Sequence, residues 1–190
     1  RIVIATHDLR LIALNARTGA LYPTFGENGI VDLSQSLGRE IDRSRITHST
    51  PVAVVRDTLV VGSTLTDQTT TREAPPGHVR GFDARTGAMK WIFHTIPQGD
   101  DFGVDSWQNG SWRYSGHTNV WGNMAVDEEL GYVYLPVSTP TNDWYGGMRH
   151  GDNLFAESIV AVDAETGQRV WHFQAIHHGL WDWDFPTGPN

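Results

Sequence analysis

Two aspartates, Asp182 and Asp184, alternate with aromatic rings in the run Leu180-Trp181-Asp182-Trp183-Asp184-Phe185. A carboxylate between large rings loses hydration, and desolvation raises its pKa toward the range of a general base. The same residues could instead cap a turn or pair with an arginine, as structural carboxylates do. Asp67 stands six residues before Glu73 in a polar stretch that follows the apolar segment 58–61. Hard cations such as Ca²⁺ take several oxygen ligands, carboxylates and carbonyls among them. Asp67 is therefore either a metal acid or a solvated loop acid. A second run, Val137-Ser138-Thr139-Pro140-Thr141-Asn142-Asp143, offers hydroxyl and amide oxygens and reads equally well as a plain loop. Arg80 and Arg72 could each grip a carboxylate with two parallel N–H donors, although Arg80 also fits an ion pair at a strand end. His177-His178 invites a zinc reading, but adjacent side chains on a strand point to opposite faces, so the pair reads as packing or wall.

The elements that must position these residues repeat. The phrase Gly81-Phe82-Asp83-Ala84-Arg85-Thr86-Gly87-Ala88-Met89-Lys90-Trp91 returns as Ala161-Val162-Asp163-Ala164-Glu165-Thr166-Gly167-Gln168-Arg169-Val170-Trp171. A degraded copy runs from Ala13 to Pro23. In each, an apolar strand ends at Asp or Asn, Thr-Gly turns the chain with a φ > 0 glycine, and a second strand follows. Hairpins are expected from 2–6 with 11–15, 52–55 with 58–61, 79–83 with 88–93, 123–126 with 131–135, and 158–163 with 169–173. These segments are rich in β-branched and aromatic residues and bounded by turn formers. No segment carries a helical period.

Paired hairpins make four-stranded units over roughly 50–93 and 120–173, with an incomplete unit before them. Radial repetition of such units is the pattern of a β-propeller. The equivalent residues Asn15, Asp83 and Asp163 lie 68 and 80 residues apart. A minimal blade needs only ~40–45 residues, so the excess sits in loops. Those loops are 24–50, 64–78, 94–118 and 138–157, and long loops on a rigid β scaffold are where sites are built. About two and a half blades do not close a ring of ~4–8, so the 190 residues read as a piece of a larger protein. The net charge of −8, without a basic tract, argues against a nucleic-acid partner. No apolar run approaches the ~20 residues of a membrane-spanning helix. The absence of cysteine excludes disulfides and thiolate metal sites.

The Trp-bearing phrase resembles the tryptophan-docking motif of the quinoprotein alcohol and sugar dehydrogenases. These are eight-bladed propellers that bind pyrroloquinoline quinone (PQQ) and a divalent metal. Stretches 65–87, 119–147 and 177–186 are similar to the membrane-type glucose, quinate and polyol dehydrogenase branch, so the resemblance covers essentially the whole chain. It implies an all-β fold. The chain would form about two and a half to three four-stranded blades of an eight-bladed propeller, with 1–190 a fragment of a single PQQ-binding domain. Trp91 and Trp171 would dock neighbouring blades.

By the same resemblance Asp182 is the base that takes the substrate hydroxyl proton, and Asp184 supports the metal. In methanol dehydrogenases an Asp at that offset marks lanthanide users. The sugar branch carries it with calcium, so Ca²⁺, Mg²⁺ and a lanthanide all stay open. Asp67 matches the family's metal acid, but the branch has Asp-Asn where this chain has Asp67-Gln68. Thr139 matches the loop position where methanol dehydrogenases have Asn, and Thr141 the threonine of the sugar branch. Trp121 matches the indole that lies under the quinone, core packing being the plainer alternative. Ser49 and Thr118 match polar cofactor contacts, and Arg80 a partner for the cofactor's carboxylates.

The implied activity is oxidation of a sugar, cyclitol or polyol, with hydride passing to PQQ and electrons leaving to ubiquinone or a cytochrome. The implied location is the periplasm, with an inner-membrane anchor outside this chain. The alternative is a non-catalytic propeller scaffold of the outer-membrane assembly type. Such a scaffold has no need of Asp67, Trp121 and the Trp-Asp-Trp-Asp run together.

Overall fold

A computed structural model describes residues 1–67 and 70–189 of the chain. The first sheet has three antiparallel strands: β1 (Ile2–Ala5), β2 (Arg10–Leu14) and β3 (Ile30–Asp32). A short pair follows, β4 (Ile46–Thr47) with β7 (Thr64–Leu65). Between them in sequence lie β5 (Ala53–Val55) and β6 (Thr58–Val61), which join β8 (Val79–Asp83) and β9 (Met89–Phe93) in the order β5-β6-β8-β9. The last sheet is β10 (Ala125–Asp127), β11 (Tyr132–Val137), β12 (Ser158–Asp163) and β13 (Arg169–Gln174), in sequence order. The five expected hairpins are all present, and both four-stranded units form. Three parts of the expected loops are ordered as strand: β3 and β4 within 24–50, and β7 at the start of 64–78. Each is two or three residues long, too short to carry a periodic signal. The only helical segments among the described residues are three 3₁₀ turns, at Arg43–Arg45, Val104–Ser106 and Gln108–Arg113.

The repeated phrase builds the same turn each time. Asp83 Oδ1 accepts from the N–H groups of Arg85 and Thr86 and from the Thr86 hydroxyl, at 3.0, 2.7 and 2.8 Å. Asp163 does the same with Glu165 and Thr166, at 3.0, 2.8 and 2.9 Å. Gly87 and Gly167 both sit at φ +74°, where a Cβ would be strained. These bonds hold both carboxyls below their ordinary range; the Thr86 N–H leads at Asp83, while at Asp163 burial is the largest single influence and raises the pKa, and the bonds from Thr166 and Glu165 together outweigh it.

Blades lock through the residue after each turn. Trp91 lies opposite Gly81 in the β8–β9 register, and a Cβ on Gly81 would stand 2.1 Å from the indole. The ring continues across to the next repeat, where Nε1 donates to the Ala164 carbonyl at 2.9 Å and the ring covers Gly167. For the degraded first copy, Phe25, two residues beyond its end at Pro23, takes this place. It is fully buried against the Gly87 turn, and the neighbouring Gly26 N–H donates to Thr86 O at 2.7 Å. Trp171, opposite the small Ala161, repeats the geometry of Trp91 but remains 43% exposed. It faces no further turn among the described residues. Two apolar clusters result. One joins the three-stranded sheet to the sheet β5-β6-β8-β9 through Leu11, Phe25, Leu59 and Phe82; the other joins the two four-stranded sheets through Val60, Trp91, Val133 and Val160.

Candidate active site

The strap 116–121 lies between the last two sheets and meets loops from both. The N–H of His117 donates to Pro75 O, and Gly77 N–H donates to His117 O. On the other side Thr118 N–H donates to Thr139 O, and Thr141 N–H to Gly116 O. Asn119 adds side-chain bonds to Ser63 O at 2.8 Å and to the Ser138 hydroxyl at 2.7 Å. The C-terminal tract closes the arrangement by approaching Gly122, where a Cβ would stand 2.2 Å from the Pro186 carbonyl.

These contacts frame a cleft of about 220 Å³ lined by Asp67, His117, Trp121, Thr139, Asp143, Asp182 and Asp184. Residues 67, 121, 139, 182 and 184, spread over more than a hundred positions of sequence, therefore share one cavity. Asp184 organises it. Its Oδ2 accepts from the Trp121 indole N–H at 2.7 Å and its Oδ1 from the Thr139 N–H at 2.9 Å. The two bonds fix the edge of the indole and tie the C-terminal tract to loop 138–143. Thr139 is braced from below, its hydroxyl donating to the buried Glu157 carboxyl at 3.0 Å.

Asp182 sits in the left-handed region at φ +54°, and the Asp184 N–H donates to its carbonyl at 3.0 Å. Aspartate tolerates this backbone better than most residues, and such outliers cluster at functional sites. Its carboxyl is pushed up to about 6, first by burial and then by Asp184, Asp143 and Asp67, with His117 pulling the other way. Asp184 is raised as well. Burial drives that shift against the Thr139 and Trp121 bonds, and Asp143 and Asp67 add to it. Burial likewise raises Glu157.

The other sequence-derived candidates lie apart from the cleft. Ser49 is exposed and bonds the hydroxyl of Thr64, a residue on the cleft wall, at 2.6 Å. Thr118 is fully buried with its hydroxyl turned to Gly116 O at 3.4 Å. Thr141 is buried, and its Oγ1 has no hydrogen-bond partner among the described residues. Arg80 is buried on β8. It donates to the Gln35 carbonyl at 2.8 Å, and burial lowers its pKa to about 10. It forms no ion pair within contact distance among the described residues, so the strand-end ion pair is replaced by a carbonyl contact. Arg72 is on the surface, paired with Glu73 at 3.4 Å and stacked on Tyr114. His178 donates from Nδ1 to Gly151 O at 2.7 Å and His177 faces Asp152 at 3.7 Å; the pair lies on a bend beyond β13, not on a strand. Gln68 lies outside the described residues.

Asp143 and His117 are cleft residues that the sequence reading did not select. Both are buried, and they contact each other through Oδ1 and Nδ1 at 2.9 Å. Asp143 closes the 137–143 run; His117 has no motif around it. The donor set suits a hard cation, because the carboxylates of one cleft raise one another and a bound cation would relieve that repulsion. Among the described residues no three His, Cys, Asp or Glu side chains stand close enough to form a ready cage, so neutral oxygens would have to complete the coordination. The indole of Trp121, pinned at its edge and walling the cleft, suits a planar ring ligand.

Comparison with known proteins gives the family of the chain. Over residues 1–190 the chain matches the family described as the PQQ glucose/ethanol/alcohol dehydrogenase β-propeller domain, and it belongs to that family. It is 34% identical to the quinoprotein glucose dehydrogenase of Escherichia coli K12 over 190 residues, all of this chain and 23% of that protein. It is equally 34% identical to the quinate/shikimate dehydrogenase (quinone) of Acinetobacter baylyi, again over all of this chain and 23% of the relative. The solved quinohemoprotein alcohol dehydrogenase of Comamonas testosteroni superposes with a TM-score of 0.79 at 25% identity, covering 98% of this chain and 27% of that one. The chain thus spans about a quarter of the length of the relatives it matches.

Proposed function

We propose that the protein containing this chain is a PQQ-dependent dehydrogenase that oxidises a hydroxyl group of a sugar, cyclitol or polyol. The observation that carries the reading is the convergence of Asp182, Asp184, Asp67, Thr139 and Trp121 on one cleft. When bound, PQQ supplies the two-electron acceptor and a divalent metal supplies Lewis acidity. Trp121, held at Nε1 by Asp184, offers the flat wall against which a planar ring is oriented. Asp67, Asp184 and Thr139 would contribute oxygens to the metal, Ca²⁺ being the proposed ion. Asp182 takes the substrate hydroxyl proton on its carboxylate. Its pKa near 6 leaves it ionised at neutral pH yet basic enough to accept that proton. The proposed electron acceptor is ubiquinone or a cytochrome, and the proposed location is the periplasm. No helix among the described residues is long and apolar enough to cross a membrane, so anchoring would rest on another part of the protein.

The test uses the full-length protein freed of cofactor. PQQ and Ca²⁺ are added without NAD, and dye reduction is followed with a panel of sugars, cyclitols and polyols. Turnover that needs PQQ and collapses in Asp182→Asn supports the reading. Failure of the full-length protein to bind PQQ would sink it.

A further inference from the structure

His117 is a cleft side chain held at both of its ring nitrogens. It and Thr118 are consecutive non-glycine residues in the left-handed region, at φ +55° and +53°. That backbone is unfavourable for both and persists only where surrounding contacts over-determine it. Here the contacts are visible on every side. Backbone bonds tie 116–118 to Pro75 and Gly77 on one flank and to Thr139 and Thr141 on the other. The kinked strap aims the imidazole across the cleft. Nδ1 meets Asp143 Oδ1 at 2.9 Å, and Nε2 meets the Thr66 carbonyl at 2.9 Å. A carbonyl oxygen only accepts, so Nε2 carries the hydrogen. The ring is 4% exposed and so has little freedom to leave this bridge.

The two anchors are not equivalent. Asp143 lies on a loop already tied to the strap through the Thr118 and Thr141 N–H bonds. Thr66 directly precedes Asp67, at the point where the chain leaves β7. The Nε2 bond therefore joins the segment that carries Asp67 to the wall that carries Thr139 and Asp143. We propose that His117 is a positioning residue, fixing the Thr66 carbonyl through Nε2 and so setting the place of the Asp67 carboxylate in the cleft it shares with Asp184. The inference rests on the dehydrogenase reading above, since it assigns Asp67 a metal to hold.

Two conservative substitutions separate the anchors. In His117→Gln the amide N–H₂ falls near the place of Nε2 and keeps a donor for Thr66 O. In His117→Asn it falls near Nδ1, keeping the Asp143 contact and losing Thr66. Full-length proteins loaded with PQQ are titrated with Ca²⁺ by calorimetry, and the cofactor-free forms are compared by circular dichroism and thermal melting. Outer partners of metal ligands typically change affinity by about 10-fold to 100-fold when lost. His117→Asn is expected to weaken Ca²⁺ binding by about that factor, and His117→Gln to keep most of the wild-type affinity, with both folded. Equal losses in the two variants, or no loss in either, overturn the proposal. So does failure of both to fold, which would make His117 a purely structural residue. If only His117→Asn fails to fold, the affinity of His117→Gln decides alone. A wild-type protein that binds neither PQQ nor Ca²⁺ refutes the dehydrogenase reading itself and this inference with it. A wild type that binds both, with indifferent variants, refutes the inference only.

Discussion

The lock between the last two sheets can be broken at either end, and the two ends should not act independently. Trp91 is 7% exposed, fills the space over Gly81 and Gly167, and donates to Ala164 O. Truncation to Ala removes most of a buried indole and leaves a cavity, at a cost of about 3–5 kcal/mol. Trp91→Phe keeps part of the ring but strips the Ala164 carbonyl of its donor, a loss of about 1 kcal/mol beyond the missing ring atoms. Gly167→Ala attacks the same contact from the turn. A Cβ there would stand 2.6 Å from Trp91 Cγ, and the residue sits at φ +74°. The backbone strain alone costs about 1–2 kcal/mol, and overpacking adds roughly 1–3 kcal/mol. In a Trp91→Ala background the clash is gone and only the strain remains. The double-mutant cycle should therefore show a coupling of about 1–3 kcal/mol in the compensating direction. The assay is denaturant unfolding of the full-length protein, read as a shift in midpoint at constant slope. Strict additivity of the two substitutions would refute the docking contact as the source of their effects.

Asp182→Asn should abolish turnover while leaving PQQ binding intact, as measured by spectroscopic titration beside the dye assay. In the metal-free protein Asp182 titrates near 6 because burial and the neighbouring carboxylates disfavour its charge. Ca²⁺ opposes that repulsion, so its binding should release protons at pH 5–6 and release few at pH 8, as read by calorimetry in buffers of different ionisation enthalpy. Proton release that does not vary over this range would count against the acidic cleft as the metal site. The stability of the metal-free protein should vary with pH in two opposite senses. Asp182, raised from 3.8 to about 6, makes the folded state bind more protons than the unfolded one, so stability falls as pH rises through that window. Asp83 and Asp163 are lowered, so their contribution is present above 3.8 and is lost as pH falls below it. Asp83→Ala and Asp163→Ala should each lower the unfolding midpoint at neutral pH and flatten the acid side of the pH–stability curve.

Which parts of this molecule were legible in its sequence follows from how local each cause is. The hairpins were legible because Asp, Thr and Gly at fixed offsets close their own turn, with every bond within five residues of Asp83 or Asp163. The pairing of Trp91 with a small residue was also in reach, since Gly81 and Trp91 lie in one hairpin. Phe25 was not, because it does the work of a tryptophan from a different offset. At the site, Asp182, Asp184, Trp121 and Asp67 came forward because each stands in a distinctive local run, and all four do meet in the cleft. Loose matches fared differently. Thr118 and Arg80 turn to carbonyls of the scaffold instead, because a buried polar group takes whichever partner its backbone offers. His117 and Asp143 are the reverse case. Their significance lies in a contact across 26 residues and another across 51, and in a backbone conformation that no residue type at position 117 announces. Local grammar therefore specified the blades and the acids, while the acids are brought together around a strap whose backbone bonds are all non-local. That division is why the cleft's positioning residue emerges only in three dimensions.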